Sequence, residues 1–132
     1  MPFNFQIRDG LIEMTYQGKF TGADVQQLLL KVEDAELRLA VTPDRITNMS
    51  DADTSGLPSS ILVSVAEARQ RAKLKNKIKS AIIATRPEHY GLARLFMRHN
   101  QNPDISIEIF KDSASAYNWL GRKAKSDDKT NV

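Results

Sequence analysis

Two half-apolar runs open the chain. Phe3, Phe5 and Ile7 alternate with polar neighbours, a second run extends from Leu11 to Gly18, and Asp9-Gly10 lies between them. Asp-Gly supplies the positive φ angles of a tight hairpin turn, so residues 3–18 are expected to form two antiparallel strands. The period then changes. Val25, Leu28, Leu29 and Val32 recur at helical spacing behind Thr21, and Asp24 stands three residues after that Thr, a carboxylate variant of the capping box. A first helix to about Ala35 follows. After Pro43, residues 44–49 make a short candidate strand. From Pro58 onward, Ile61, Leu62, Val65, Ala68 and Ala72 fall on one side of a second helix that carries Glu67, Arg69 and Arg71 on the other.

The most apolar short run, residues 78–85, is rich in β-branched side chains and suits a central, parallel strand buried on both faces. Pro87 and Glu88 open a third helix on which Leu92, Leu95, Phe96 and His99 share a stripe, ending near Asn102-Pro103. Residues 105–110 alternate Ile with Ser and Glu. Asp112 or Ser113 then caps a last helix containing Tyr117, Trp119 and Leu120, and Gly121 ends it as a C-cap glycine. The order predicts an α/β layer sandwich with right-handed crossovers: a mixed, mostly parallel sheet, an N-terminal β-hairpin and about four helices. Residues 1–121 read as one domain and residues 122–132 as a disordered polar tail.

Composition narrows the class. A chain of 132 residues suits one core, and 41% hydrophobic with 27% charged residues is ordinary for a globular protein. No apolar run approaches the roughly 20 residues of a membrane span. The absence of cysteine excludes disulfides, thiol nucleophiles and thiolate metal sites, and with no secretory signal at the N-terminus the expected address is the cytoplasm, with peripheral membrane contact open. The net charge of +3 is unevenly spread: residues 1–60 carry five Lys and Arg against nine Asp and Glu, whereas residues 61–132 carry 14 against seven. That asymmetry fits an anionic partner at one face and falls short of a dedicated nucleic-acid binder.

The candidate chemistry lies in a few places. Residues 48–64, NMSDADTSGLPSSILVS, read as a polar turn running into the second helix. Its hydroxyls and carboxylates suit helix capping, the simpler reading, or a phosphorylation switch in which Ser55 is presented near a helix N-terminus. A serine nucleophile is disfavoured, because G-x-S-x-G is missing and no histidine stands near in sequence. His89 and His99 are ten apart, unlike a helical metal pair, so no metal is expected. His89, beside Tyr90, is a candidate for a pocket mouth near the carboxyl end of the central strand. RQRAKLKNKIK, residues 69–79, forms a basic face: either a solvated helix end or a contact for anionic headgroups. No aromatic residues interleave with it, so nucleic acid is not expected as a partner. The glycines are isolated and build no phosphate cradle, and no cofactor is predicted.

Residues 78–120, IKSAIIATRPEHYGLARLFMRHNQNPDISIEIFKDSASAYNWL, resemble the C-terminal half of the small bacterial SpoIIAA-like proteins, the group also described as STAS/SEC14-type. The likeness rests on the Lys-flanked apolar strand, on Tyr90-Gly91-Leu92-Ala93-Arg94 with Phe96 following, on the Ile-rich strand ending in Phe110, and on the closing Ala116-Tyr117-Asn118-Trp119-Leu120. Upstream, Tyr16-Gln17-Gly18-Lys19-Phe20-Thr21-Gly22 is similar to the family's N-terminal half, so the resemblance covers about residues 3–121. It implies a SpoIIAA-like βα superhelical sandwich and no known reaction. Asp53-Thr54-Ser55-Gly56-Leu57 resembles the signature of the anti-sigma-factor antagonists of the wider STAS group, in which a kinase phosphorylates the serine matching Ser55.

These features lead to a non-catalytic STAS/SEC14-like module that binds a small apolar or lipid-like ligand or associates reversibly with a membrane surface. Leu57, Ile61, His89, Tyr90 and Phe96 are the expected ligand-binding residues, and Lys73, Lys75 and Lys77 the expected contacts to membrane anions. The alternative is a protein-interaction switch of the anti-sigma-factor-antagonist type, phosphorylated at Ser55 and acting on a protein partner. A homodimer seam through Val63 and its aliphatic neighbours is a further expectation.

Overall fold

Asp9 (φ 52°) and Gly10 (φ 72°) both take the left-handed conformation that a two-residue hairpin turn demands. In the computed structural model, which describes residues 2–123, this turn joins β1 (Phe3–Arg8) to β2 (Leu11–Lys19) in antiparallel register from Arg8↔Leu11 to Phe3↔Tyr16. The chain continues through α1 (Gly22–Arg38), β3 (Asp44–Asp53), α2 (Ser59–Arg71), β4 (Ile78–Ile83), α3 (Pro87–His99), β5 (Ile105–Phe110) and α4 (Ser113–Trp119). The sheet order is β1-β2-β3-β4-β5, with every pairing after the hairpin parallel. β4 is interior and parallel on both sides, as its apolar run predicts, although β3 holds the middle position.

Strand alternation divides the side chains between two layers. Ile46, Ala81 and Ile83 pack with Leu11 against Ala116 and Leu120 at α4. Arg45, Thr47 and Met49 of β3, with Ser80 and Ile82 of β4, face the other layer, where α1, α2 and α3 lie. The sheet thus carries three helices on one face and one on the other.

Several boundaries differ from the sequence pattern. α1 runs on to Arg38. β3 does not stop at Met49: Asp51, Ala52 and Asp53 pair with Gln17, Gly18 and Lys19 after a register shift, because β2 is long enough to offer them a ladder. Residues 50–53, expected in a polar turn, are therefore strand. α3 ends at His99, ahead of Asn102, whose side-chain amide donates to the carbonyls of Arg69 (3.0 Å) and Ala72 (2.7 Å) and so closes the C-terminus of α2. The expectation that Thr, Ser or Asp caps α2 fails: its N-cap is Pro58, with no side-chain hydrogen bond. Arg69, expected on the solvent face of α2, is instead buried, for reasons given below. At the C-terminus, Arg122 donates to the Asp9 carbonyl at 2.8 Å, and residues 124–132 of the expected tail lie outside the described residues.

Candidate functional site

Between the sheet and its three-helix layer lies a cavity of about 120 Å³. β2 contributes Met14 and Tyr16, β3 contributes Arg45, Thr47 and Met49, and β4 contributes Ser80 and Ile82. The roof comes from Val25, Leu28, Leu29 and Val32 of α1, Leu62, Val65 and Arg69 of α2, and Leu92, Ala93 and Phe96 of α3, with Leu57 ahead of α2. Small Ser80 and Ala93 stand where larger side chains would fill the gap between strand and helix. Tyr16 stacks on Phe20 with ring centroids 4.0 Å apart, and burial holds the Tyr16 phenol well above its ordinary pKa, so the ring stays neutral.

One end of this apolar space is charged. Arg45, at the start of β3, donates from Nη1 to Glu36 Oε2 (2.9 Å) and from Nη2 to the Pro43 carbonyl (3.0 Å). Arg69 on α2 donates from Nη1 and Nη2 to the two oxygens of Glu36 at 2.9 and 2.5 Å. Two guanidinium groups therefore share one carboxylate, and all three side chains are at most 11% exposed. Burial pushes the Arg45 pKa below its ordinary value, with the Glu36 charge opposing the shift, and a guanidinium retains its proton under such conditions. Arg45 Nε is buried without a hydrogen-bond partner among the described residues.

The structure distributes the sequence-predicted residues over several places. Leu57 and Phe96 line the cavity. Ile61 sits outside the lining and packs over Gly22 at the start of α1, where no Cβ would fit without moving it. His89 is wholly buried on the inner stripe of α3. Its Nε2 donates to the Ala52 carbonyl at 2.9 Å, which fixes the tautomer and leaves Nδ1 unpartnered among the described residues. Tyr90 is 42% exposed and sits with Arg94 on the outer face of α3. Lys73, Lys75 and Lys77 are exposed and lie ahead of β4, at the opposite end of the strands from Leu57 and His89. There Lys75 Nζ donates to the carbonyls of Leu37 and Leu39, close to the exposed side chains of Leu37 and Val41. Val63 is partly buried within the single chain.

Ser55 is exposed at the turn after β3. Its backbone N–H and its hydroxyl both donate to Asp53 Oδ1, at 3.0 and 2.7 Å, and these bonds lower the pKa of the Asp53 carboxyl. Asp53 serves this turn rather than the helix, an Asx arrangement that competes with capping.

A second concavity, of about 260 Å³, lies on the α4 face and includes Asn4, Gln6, Glu13, Asn48 and Tyr117. Gln6, Arg8 and Tyr117 all donate to the Glu13 carboxylate, so Gln6, Glu13 and Tyr117 of this groove are directed at one another. Among the described residues, no group of three His, Asp or Glu side chains is arranged to hold a metal ion, and no helix is long and apolar enough to cross a membrane.

Sequence reasoning missed the Glu36, Arg45 and Arg69 cluster. Partial signals existed: Arg69 stands seven residues after Leu62 and four after Val65, which places it on the apolar stripe, and Glu36 stands four after Val32. Arg45 alternates with Thr47 and Met49 along its strand.

No family model matches the chain, and no curated protein matches it. Among solved structures, an uncharacterized protein of the DUF3478 family with a SpoIIAA-like fold, from Shewanella loihica PV-4, is similar. The match covers 89% of this chain and 93% of that one, with a TM-score of 0.62 and 17% sequence identity. The chain thus has a SpoIIAA-like fold, the α/β sandwich that the resemblance implied.

Proposed function

We propose that this protein is a non-catalytic binding module that takes a small apolar ligand between its sheet and the layer formed by α1, α2 and α3. The observation that carries this reading is the cavity of about 120 Å³, whose lining from three helices and three strands is apolar except at one end. Apolar cavities of about 150 Å³ stay dry and bind benzene, so the space fits a ligand of roughly six carbon atoms and not a whole phospholipid. Binding rather than catalysis is supported by the lining itself, which contains no histidine or carboxylate to act as a base.

The test uses benzene and n-pentanol as probes on protein labelled at its methionine methyls. Met14 and Met49 line the cavity, so their resonances are expected to shift saturably. Unmoved methyls at millimolar probe would reject a ligand cavity. Reversible contact with an anionic membrane is a route by which such a ligand would arrive. It is supported by the exposed Lys73, Lys75 and Lys77, of which Lys75 reaches the backbone of exposed Leu37, each cation contributing about 1 kcal/mol near an anionic surface. Flotation with phosphatidylserine vesicles at low salt tests it, and no flotation rejects it.

A second reading is favoured by the exposure of Ser55. A phosphate there would be repelled by the Asp53 carboxylate that now accepts from Ser55, near the cations Lys19 and Arg86 whose charges act on Asp53. Phosphorylation would thus rearrange this turn and change a protein-binding surface. A phosphosite map of the protein taken from its own cells tests the switch, and an unmodified Ser55 under every growth condition rejects it.

A further inference from the structure

The apolar cavity ends in a row of unspent polar groups. Arg45 and Ser80 are direct neighbours across the β3–β4 ladder, and Thr47 lies on the same face of β3 two residues further on. All three line the cavity. Arg45 Nε is buried without a partner, and no side-chain hydrogen bond engages the hydroxyls of Thr47 and Ser80 among the described residues. A buried guanidinium N–H that goes unpaired is costly, and such a group in a native structure calls for a water or a ligand.

The local charge says which ligand. Glu36 is the carboxylate ion-paired with both Arg45 and Arg69, so two guanidinium groups share one paired negative charge at the edge of an apolar space. Asp44 acts on Arg45 more weakly than Glu36 does and forms no ion pair with it among the described residues, and its carboxylate accepts from the Lys79 backbone N–H. An added anion would give the second guanidinium its own partner, whereas a cation would be repelled by the pair of arginines.

We propose that the ligand is a small monocarboxylate whose carboxylate is held by Arg45 Nε and the hydroxyls of Thr47 and Ser80, and whose apolar body fills the space toward Met14, Tyr16 and Phe96. This rests on the cavity reading above and adds its head group. Charge-assisted bonds from a buried guanidinium to a carboxylate are among the stronger polar contacts, and two hydroxyl donors beside it would bring the bonds to three of the roughly four that a carboxylate accepts. The volume is shared with the head group and limits the body to about three or four carbons. The cavity therefore sorts small organic acids by the length and branching of the tail, while the arginine selects for the head.

The experiment titrates the intact protein with sodium pentanoate, n-pentanol and n-pentylamine, following the Met14 and Met49 methyl resonances. Pentanoate is expected to bind at least about tenfold more tightly than n-pentanol, and the amine not at all. The Ser80→Ala and Arg45→Met variants are expected to reduce that preference, Arg45→Met to about unity. Equal binding of pentanoate and n-pentanol, or tighter binding of the alcohol, would overturn the carboxylate assignment and leave the apolar cavity standing. Binding of none of the three would overturn both. Should Arg45→Met fail to fold, the wild-type comparison alone decides.

Discussion

Glu36 on α1 receives both terminal nitrogens of Arg69 on α2, at 2.9 and 2.5 Å, and the two helices are thereby tied together over the charged end of the cavity. The same carboxylate accepts from Arg45 on β3, so three elements meet on one side chain. Removing it strands two buried cations. Glu36→Gln is therefore expected to destabilise the fold by about 3 kcal/mol or more, read as a lower urea midpoint at unchanged slope. Arg69→Met is expected to cost clearly less, because the remaining Glu36 and Arg45 neutralise each other. Equal losses in the two variants would show that the bridge to α2, and not the stranded charge, dominates.

Gly22 and Ile61 make the second tie between α1 and α2. A Cβ at Gly22 would overlap the Ile61 Cδ1 methyl, the far end of a flexible side chain, so Gly22→Ala is expected to cost no more than about 1 kcal/mol once that methyl turns aside, despite the better helix propensity of Ala. In an Ile61→Ala background the overlap is gone, and the same change is expected to be neutral or stabilising by up to about 1 kcal/mol. A double-mutant cycle in urea measures the difference, and a cost for Gly22→Ala unaltered in that background would refute the contact.

The strands and helices were legible because the pattern that dictates them is local. Asp9-Gly10 needs positive φ, Val25 to Val32 keep one helical stripe, and Ile78 to Ile83 are apolar on both faces. What escaped was set by neighbours distant in sequence. The end of β3 at Asp53 depends on where β2 stops, and Asp53 prefers Ser55 over the helix that starts at Ser59. Arg69 looks like a solvent-facing charge until Glu36, 33 residues earlier, is placed opposite it. The apolar half of the site showed in Leu57 and Phe96, while its polar half required the three-dimensional pairing of Arg45 with Ser80.

The Ser55 turn carries a pH signature. Asp53 is held below its ordinary pKa first by the Ser55 hydroxyl and then by the Ser55 N–H. A depressed carboxyl contributes stability above its unfolded pKa and loses it as pH falls through the folded value. In Ser55→Ala only the N–H remains, so the Asp53 pKa is expected to rise part of the way toward its ordinary value, measured by carboxyl carbon chemical shift. No movement would show that the hydroxyl bond is not formed in solution.

On the opposite face, Tyr117 donates its hydroxyl to Glu13 Oε2 at 3.1 Å, and its pKa is raised to about 12, by burial first and by the Glu13 charge and hydrogen bond next. A phenol whose folded pKa lies above its unfolded value of about 10 contributes stability that is complete below that value and is lost as pH rises through about 12. Alkaline titration followed by tyrosinate absorbance is thus expected to show Tyr117 ionising later than an ordinary phenol with a pKa of about 10. Glu13→Gln removes the charge but leaves the burial, so the Tyr117 titration is expected to move down toward the ordinary phenol value without reaching it. Should Tyr117 instead titrate at the ordinary phenol value in the wild type, the bond that draws α4 toward β2 would be absent in solution.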